Sequence, residues 1–159
     1  MIVVSDTSPL HYLILIDCAH LLPELYGRVV TTLEVVEELS REKTPQKVRE
    51  WVAEPPAWLE IQEPTLPLIE LPKLGLGEAS AITLAKELAA ELLLIDERYG
   101  SQIAQSSGLL VTGTLGVLKV AARRGLISLP VALEALRHTT YRYTPKLFDQ
   151  LLKDDDASE

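Results

Sequence analysis

Two apolar stretches of this chain end in aspartate: Val3-Val4-Ser5-Asp6 and Leu93-Leu94-Ile95-Asp96. If both are strands of one parallel sheet, each carboxylate stands at the carboxyl rim, where open α/β sheets bind ligands. Carboxylates gathered there raise each other's pKa unless a cation neutralises them. Oxygen donors of this kind suit Mg2+ or Mn2+. Such ions organise in-line attack of water on a phosphodiester and stabilise the leaving oxygen. A plainer role competes, because aspartate after a strand also caps the following helix. Phosphate-accepting aspartates share this placement, but they need a lysine beyond the last strand. Gly113 and Thr114 stand there instead.

The elements that must position these acids follow from hydrophobic period and punctuation. Residues 2–5, 28–31, 92–95 and 109–112 read as short strands, with a further one at residues 59–62. Apolar runs without polar alternation suit strands buried on both faces. Helices are expected between them. The first spans residues 9–16, with Ser8 as its cap and Pro9 at its first position. Others cover residues 18–25, 33–41 (capped by Thr32, with Leu33, Val36 and Leu39 on the buried side), 45–52, 76–92, 98–105, 113–124, 130–138 and 145–152. Gly108 and Gly125 mark helix ends. Residues 54–72 carry Pro55, Pro56, Pro64, Pro67 and Pro72, so they should be extended and peripheral. Alternating strands and helices predict a three-layer α/β/α sandwich around a central, mainly parallel sheet.

Length and composition bound the rest. The chain has 159 residues, 47% of them hydrophobic, enough for one core. A single domain is expected over residues 1–153, with an acidic tail lacking structure at residues 154–159. No apolar run is long enough for a membrane span, and residues 1–6 lack a basic signal-peptide start. Cys18 is alone, which excludes an internal disulfide and a cysteine-rich zinc site and favours a reducing, cytoplasmic setting. The net charge of −8 opposes general nucleic-acid binding. Part of it lies in the tail, and part in the proposed site, where a cation would offset it.

The acidic segments, in order, resemble the PIN domain, the nuclease fold of bacterial and archaeal VapC-type toxins and their relatives. The first is Val4-Ser5-Asp6-Thr7-Ser8-Pro9-Leu10, and the second Val35-Val36-Glu37-Glu38-Leu39. The third is Leu76-Gly77-Glu78-Ala79-Ser80-Ala81-Ile82, and the fourth Leu94-Ile95-Asp96-Glu97-Arg98. A subgroup of PIN-like proteins of poorly defined function adds a segment like Gly108-Leu109-Leu110-Val111-Thr112-Gly113-Thr114-Leu115-Gly116-Val117-Leu118 and then Gly125-Leu126-Ile127. The likeness runs from residue 2 to about residue 128. It implies that Asp6, Glu38, Glu78 and Asp96 are catalytic metal ligands for Mg2+ or Mn2+, with Asp6 central. It also implies RNA phosphodiester hydrolysis, a toxin–antitoxin role with an antitoxin protein as partner, and a homodimer. Glu37 competes with Glu38, about 100° away around the helix. Two departures stand out: Leu94 where many relatives have Thr or Ser, and Glu78 where many have Asp. They leave a second reading open, a non-catalytic module that binds RNA or protein.

Four further residues are accessory candidates. Ser8 could meet a metal-bound water or phosphate, or simply cap its helix. Glu97 could join the cluster or point to solvent. Thr112 and Thr114 could line the crevice, or Thr114 could cap the next helix. Arg98, Arg123 and Arg124 are ordinary solvated helix-end residues or phosphate contacts. His11, His20 and His138 have no metal-ligand spacing. Trp51 and Trp58 are expected to pack over the core or to form a partner surface.

Overall fold

The computed structural model describes residues 1–157. Among them lies one five-stranded, all-parallel sheet, ordered β3-β2-β1-β4-β5. The strands are β1 (Ile2–Ser5), β2 (Arg28–Thr31), β3 (Leu59–Ile61), β4 (Leu92–Leu94) and β5 (Val111–Thr112). The helices are α1 (Thr7–Leu15), α2 (Leu21–Tyr26), α3 (Leu33–Leu39), α4 (Gln46–Ala53), α5 (Leu76–Glu87), α6 (Arg98–Ser106), α7 (Thr114–Arg123), α8 (Leu129–Arg137) and α9 (Pro145–Ala157). The expected α/β/α sandwich is the observed one.

Alternation along the strands makes the two outer layers. Val3, Val29 and Leu94 face one side, into a core shared with α1, α2, α7 and α8. Val4, Val30, Leu93 and Ile95 face the other, against Ala81, Ile82, Leu84 and Ala85 of α5 and Ala104 of α6. Both faces of each inner strand are therefore apolar, which is why the sequence reads as unbroken runs. The proline-rich residues 54–72 carry only the short β3, at the sheet edge, where missing N–H donors cost little.

Strand order locates the functional rim. From β1 the chain moves outward to β2 and β3, then returns through α5 to lay β4 on the other side of β1. Helical connections leave β1 and β4 in opposite directions along the sheet, opening a crevice at their carboxyl ends. Ser5 pairs with Leu94, and the Asp6 N–H donates to the Leu94 carbonyl at 2.8 Å. Both strand-end aspartates thus open onto this switch point.

Three local expectations need correction. Ser8 is not the cap of α1: Asp6 holds that place with extended backbone, and Thr7 and Ser8 are already helical. In α3 the buried residues are Val35 and Leu39, whereas Leu33 is exposed. The acidic stretch is not wholly without structure, because α9 continues through Asp154–Asp156 to Ala157. Asp154 and Asp155 line a small cleft with Lys119 and Arg123 of α7, whose charges complement them. Residues 158 and 159 of the expected tail lie outside the described residues. No helix among the described residues is long and apolar enough to cross a membrane.

Candidate functional site

Asp6 is the centre of the acidic set. It is 3% exposed, and its Oδ1 is buried without a hydrogen-bond partner. It occupies the N-cap position of α1, yet its side chain accepts no capping bond, so the helix-cap explanation fails for this residue. Burial pushes its carboxyl up to about 7, and the charges of Glu38 and Asp96 add to the effect. The Thr7 amide and hydroxyl pull in the opposite direction without cancelling it.

Glu38, and not Glu37, turns inward. α3 begins at Thr32, whose side chain accepts from the Val35 N–H, and this cap sets the rotation of the helix. Glu37 is left exposed. Glu38 Oε2 accepts from the Thr7 hydroxyl at 2.7 Å, and Oε1 from the Gly77 N–H at 3.1 Å. Thr32 also bonds Ser80 across α3 and α5 at 2.7 Å, tying together the two helices that carry Glu38 and Glu78. A Cβ at residue 77 would stand 2.5 Å from Glu38 Oε1, so only glycine admits the carboxylate there.

Glu78, in the first turn of α5, has a buried Oε2 without a donor. Its carboxyl is pushed up to about 7, first by burial, then by proton sharing with Glu97 and by the charge of Asp6. Glu97 does not point idly into solvent. It caps α6, accepting from Tyr99 N–H at 2.9 Å and Gly100 N–H at 2.6 Å. Burial lifts its pKa, but those N–H groups outweigh burial and leave it below the usual value. A Cβ on Gly100 would lie 2.5 Å from Glu78 Oε2 and 3.3 Å from Glu97 Oε2, so both carboxylates lean over one spot. Both are acceptors, and their contact is favourable only with a proton or a cation between them.

Asp96 is tied differently. Its Oδ1 accepts from the Thr114 N–H at 2.7 Å and its Oδ2 from the Thr114 hydroxyl at 2.6 Å. It therefore caps α7, the helix that follows the neighbouring strand β5, while Glu97 caps the helix that follows Asp96 in sequence. Burial raises its pKa and the Thr114 bonds oppose the rise. Thr114 is buried and serves the site through this contact. Thr112 instead sets its hydroxyl against Gly116 of α7. Ser8 borders the cleft beyond Asp96.

The four acids thus converge on the crevice, with Asp6 sensing Glu38, Asp96 and Glu78. No ion pair among the described residues reaches any of them. All their donors are hard oxygens, and Asp6 Oδ1 and Glu78 Oε2 present buried lone pairs that lack a donor, which suits Mg2+ or Mn2+ chemically. Among the described residues, however, no three His, Cys, Asp or Glu side chains close around one point as a finished coordination shell. Glu38 and Asp96 direct their oxygens to Thr7, Gly77 and Thr114. Sequence reasoning does not single out Thr7, Gly77 or Gly100, although a glycine beside a candidate acid is a signal it could use.

Comparison with known proteins agrees with this architecture. The family model DUF3368, described as a PIN domain, matches residues 2–157. A solved structure, a PilT N-terminus domain protein, SSO1118, from the hyperthermophilic archaeon Sulfolobus solfataricus P2, superposes with a TM-score of 0.53 at 16% identity. The overlap covers 90% of this chain and 100% of that one, and at this identity it shows a common fold. No curated protein matches the chain. With its family match spanning nearly the whole chain and its acids at the sheet's switch point, this protein belongs to the PIN domain family.

Proposed function

We propose that the protein is a divalent-metal-dependent endoribonuclease, hydrolysing RNA phosphodiesters at the crevice between β1 and β4. One observation carries the reading. The Asp6 carboxylate is buried at the switch point with an unpartnered oxygen, and acids surround it with no ion pair among the described residues to offset them. The PIN family generally includes metal-dependent nucleases. A bound Mg2+ or Mn2+ would supply charge neutralisation and an activated water. Asp6 would be the central ligand, with Glu78 offering its free oxygen. Glu38 and Asp96 would contribute directly or through water. Thr7 and Thr114 hold those two carboxylates in fixed orientation, as outer hydrogen-bond partners do for metal ligands. Glu97 keeps its charge at the α6 N-terminus and leaves the proton, or the cation, to Glu78.

Purified protein incubated with RNA and Mn2+, with Asp6→Asn as control, tests the reading. Metal-dependent cutting by the parent and not by the variant is expected; equal cutting by both removes the site assignment. The role of a toxin partnered by an antitoxin belongs to the same proposal, and a neighbouring antitoxin gene is its mark. A specific observation favours a second reading, the non-catalytic binding module: the coordination shell is open because Glu38 and Asp96 are satisfied by protein donors. A protein that binds RNA yet takes up no Mn2+ would establish that module.

A further inference from the structure

The acidic centre continues into a cleft of about 380 Å³ between α1 and the connection from α8 to α9. Asp96 and Glu97 line it from the acidic side, Ser8 and Tyr12 from α1, and Tyr141 and Arg142 from the connection. Ser8 and Tyr12 are one turn apart on α1, so they present one face. The connection is held in shape. Thr139 donates its hydroxyl to the Leu136 carbonyl at 2.7 Å, and accepts from the Tyr141 N–H at 3.1 Å. The Tyr12 and Thr140 hydroxyls lie 3.0 Å apart. The Tyr12 and Tyr141 rings meet edge to face, with centroids 5.1 Å apart and planes at 83°. Both rings are partly exposed while packing on the core. Arg142 is exposed and enters no ion pair among the described residues, unlike Arg28 and Arg137.

A packed pair of partly exposed tyrosines and an unpaired guanidinium, beside the proposed phosphodiester-cutting centre, match the parts of a nucleotide. Bases stack on aromatic faces, and guanidinium groups bind phosphate. We infer that this cleft seats one unpaired nucleotide of single-stranded RNA beside the phosphate to be cut. Its base lies on the Tyr12–Tyr141 pair, and its phosphate on Arg142. The volume lies near the lower end of the roughly 300–1,000 Å³ of small-ligand pockets, room for one nucleotide and too little for a base pair. Seated there, the nucleotide has Asp96 and Glu97 at its border, so its neighbouring phosphate falls toward Asp6. The inference rests on the ribonuclease reading for its substrate class and deepens it.

Anisotropy of labelled oligouridylate bound to the intact protein, in EDTA so that no cutting occurs, tests the inference separately from catalysis. The parent should bind. Arg142→Ala should weaken binding and reduce the slope of log affinity against log salt by about 0.7, the loss of one phosphate contact on a single strand. Tyr141→Ala should weaken binding about tenfold or more, and Tyr141→Phe should restore it by keeping the ring. Arg142→Glu guards against misfolding as an explanation, because the side chain is exposed; it should bind worse than Arg142→Ala. Duplex RNA serves as the other arm and should bind more weakly and without dependence on Arg142, whereas oligodeoxyuridylate, which offers the same base and phosphate, should share the Arg142 dependence. Parent protein that fails to bind, variants that bind like the parent, or equal Arg142-dependent binding of duplex RNA overturns the inference. Arg142-dependent RNA binding without any Mn2+-dependent cutting would keep the cleft and overturn the nuclease reading alone.

Discussion

Asp6 and Asp96 look alike in sequence, each ending an apolar run, and the fold treats them in opposite ways. Asp96 has both oxygens bonded to Thr114 and pins the start of α7 to the end of β4. Asp6 sits deeper, caps nothing and keeps Oδ1 without a partner. A buried lone pair without a donor costs roughly 1–3 kcal/mol, and more when charged. A fold retains such a cost where a ligand removes it. The contrast separates an acid whose burial is partly offset by protein donors from one whose burial leaves an oxygen without a donor.

The largest effect should come from exchanging those characters. Asp6→Asn should lower Mn2+-dependent RNA cleavage at least about a hundredfold, as loss of a central metal ligand would. It should also raise the stability of metal-free protein near pH 8, by on the order of 2 kcal/mol, because a buried charge disappears. Asp96→Ala should do the reverse to stability, costing about 1–2 kcal/mol as a lost helix cap does. Denaturant melts of both variants in EDTA read the pair; an Asp6→Asn protein less stable than its parent would erase the distinction.

Titration offers the next effect. The folded pKa of Asp6, about 7, lies above its ordinary 3.8, and that of Glu78, also about 7, above 4.5. Between the two values the native state holds protons that the unfolded chain has released. Metal-free stability should therefore fall as pH rises from about 4 to about 7, and level off above. A tenfold change in proton affinity between the folded and unfolded chain corresponds to about 1.36 kcal/mol, and the share of Glu78 is smaller because it is partly open to solvent. Mn2+ should cancel the decline by taking the place of the protons. Melts across this range with EDTA and with Mn2+ check it, and a flat EDTA profile sinks the idea. A smaller change, Thr114→Val, removes one of the two bonds to Asp96 and should cost about 1 kcal/mol.

The sheet is legible in the sequence because its inner strands are buried on both sides, which leaves uninterrupted apolar runs such as Val3-Val4 and Leu93-Leu94-Ile95. Asp6 and Asp96 are legible for the same reason, as polar residues that end those runs. Sequence does not reveal which way each acid is satisfied. Thr7 meets Glu38 across 31 residues and Thr114 meets Asp96 across 18, contacts created by topology rather than by local pattern. Ser8 misleads because Ser-Pro is a common helix start, whereas β1 hands directly to α1 at Asp6. Glu37 and Glu38 separate only once the Thr32 cap fixes the rotation of α3. Residues 154–157 read as tail because composition does not reveal that Lys119 and Arg123 lie opposite.

The smallest expected effect on stability bears on Glu38, the acid that lies between the two extremes. Its Oε1 has a donor, the Gly77 N–H, but keeps that contact only because residue 77 lacks a side chain. In Gly77→Ala the new methyl would meet the carboxylate, the movable end of a flexible chain, so Glu38 should shift and the fold should hold. Alanine also gains helix propensity over glycine by up to about 1 kcal/mol, which offsets the lost hydrogen bond. The melting temperature should therefore stay within about 2 °C of the parent. Mn2+ affinity by calorimetry should fall about three- to tenfold, at the low end of what disturbing a ligand's support costs. Unchanged Mn2+ affinity would remove Glu38 from the ligand set and leave Asp6, Glu78 and Asp96. The site would then depend on Asp96 exchanging its Thr114 bonds for a cation.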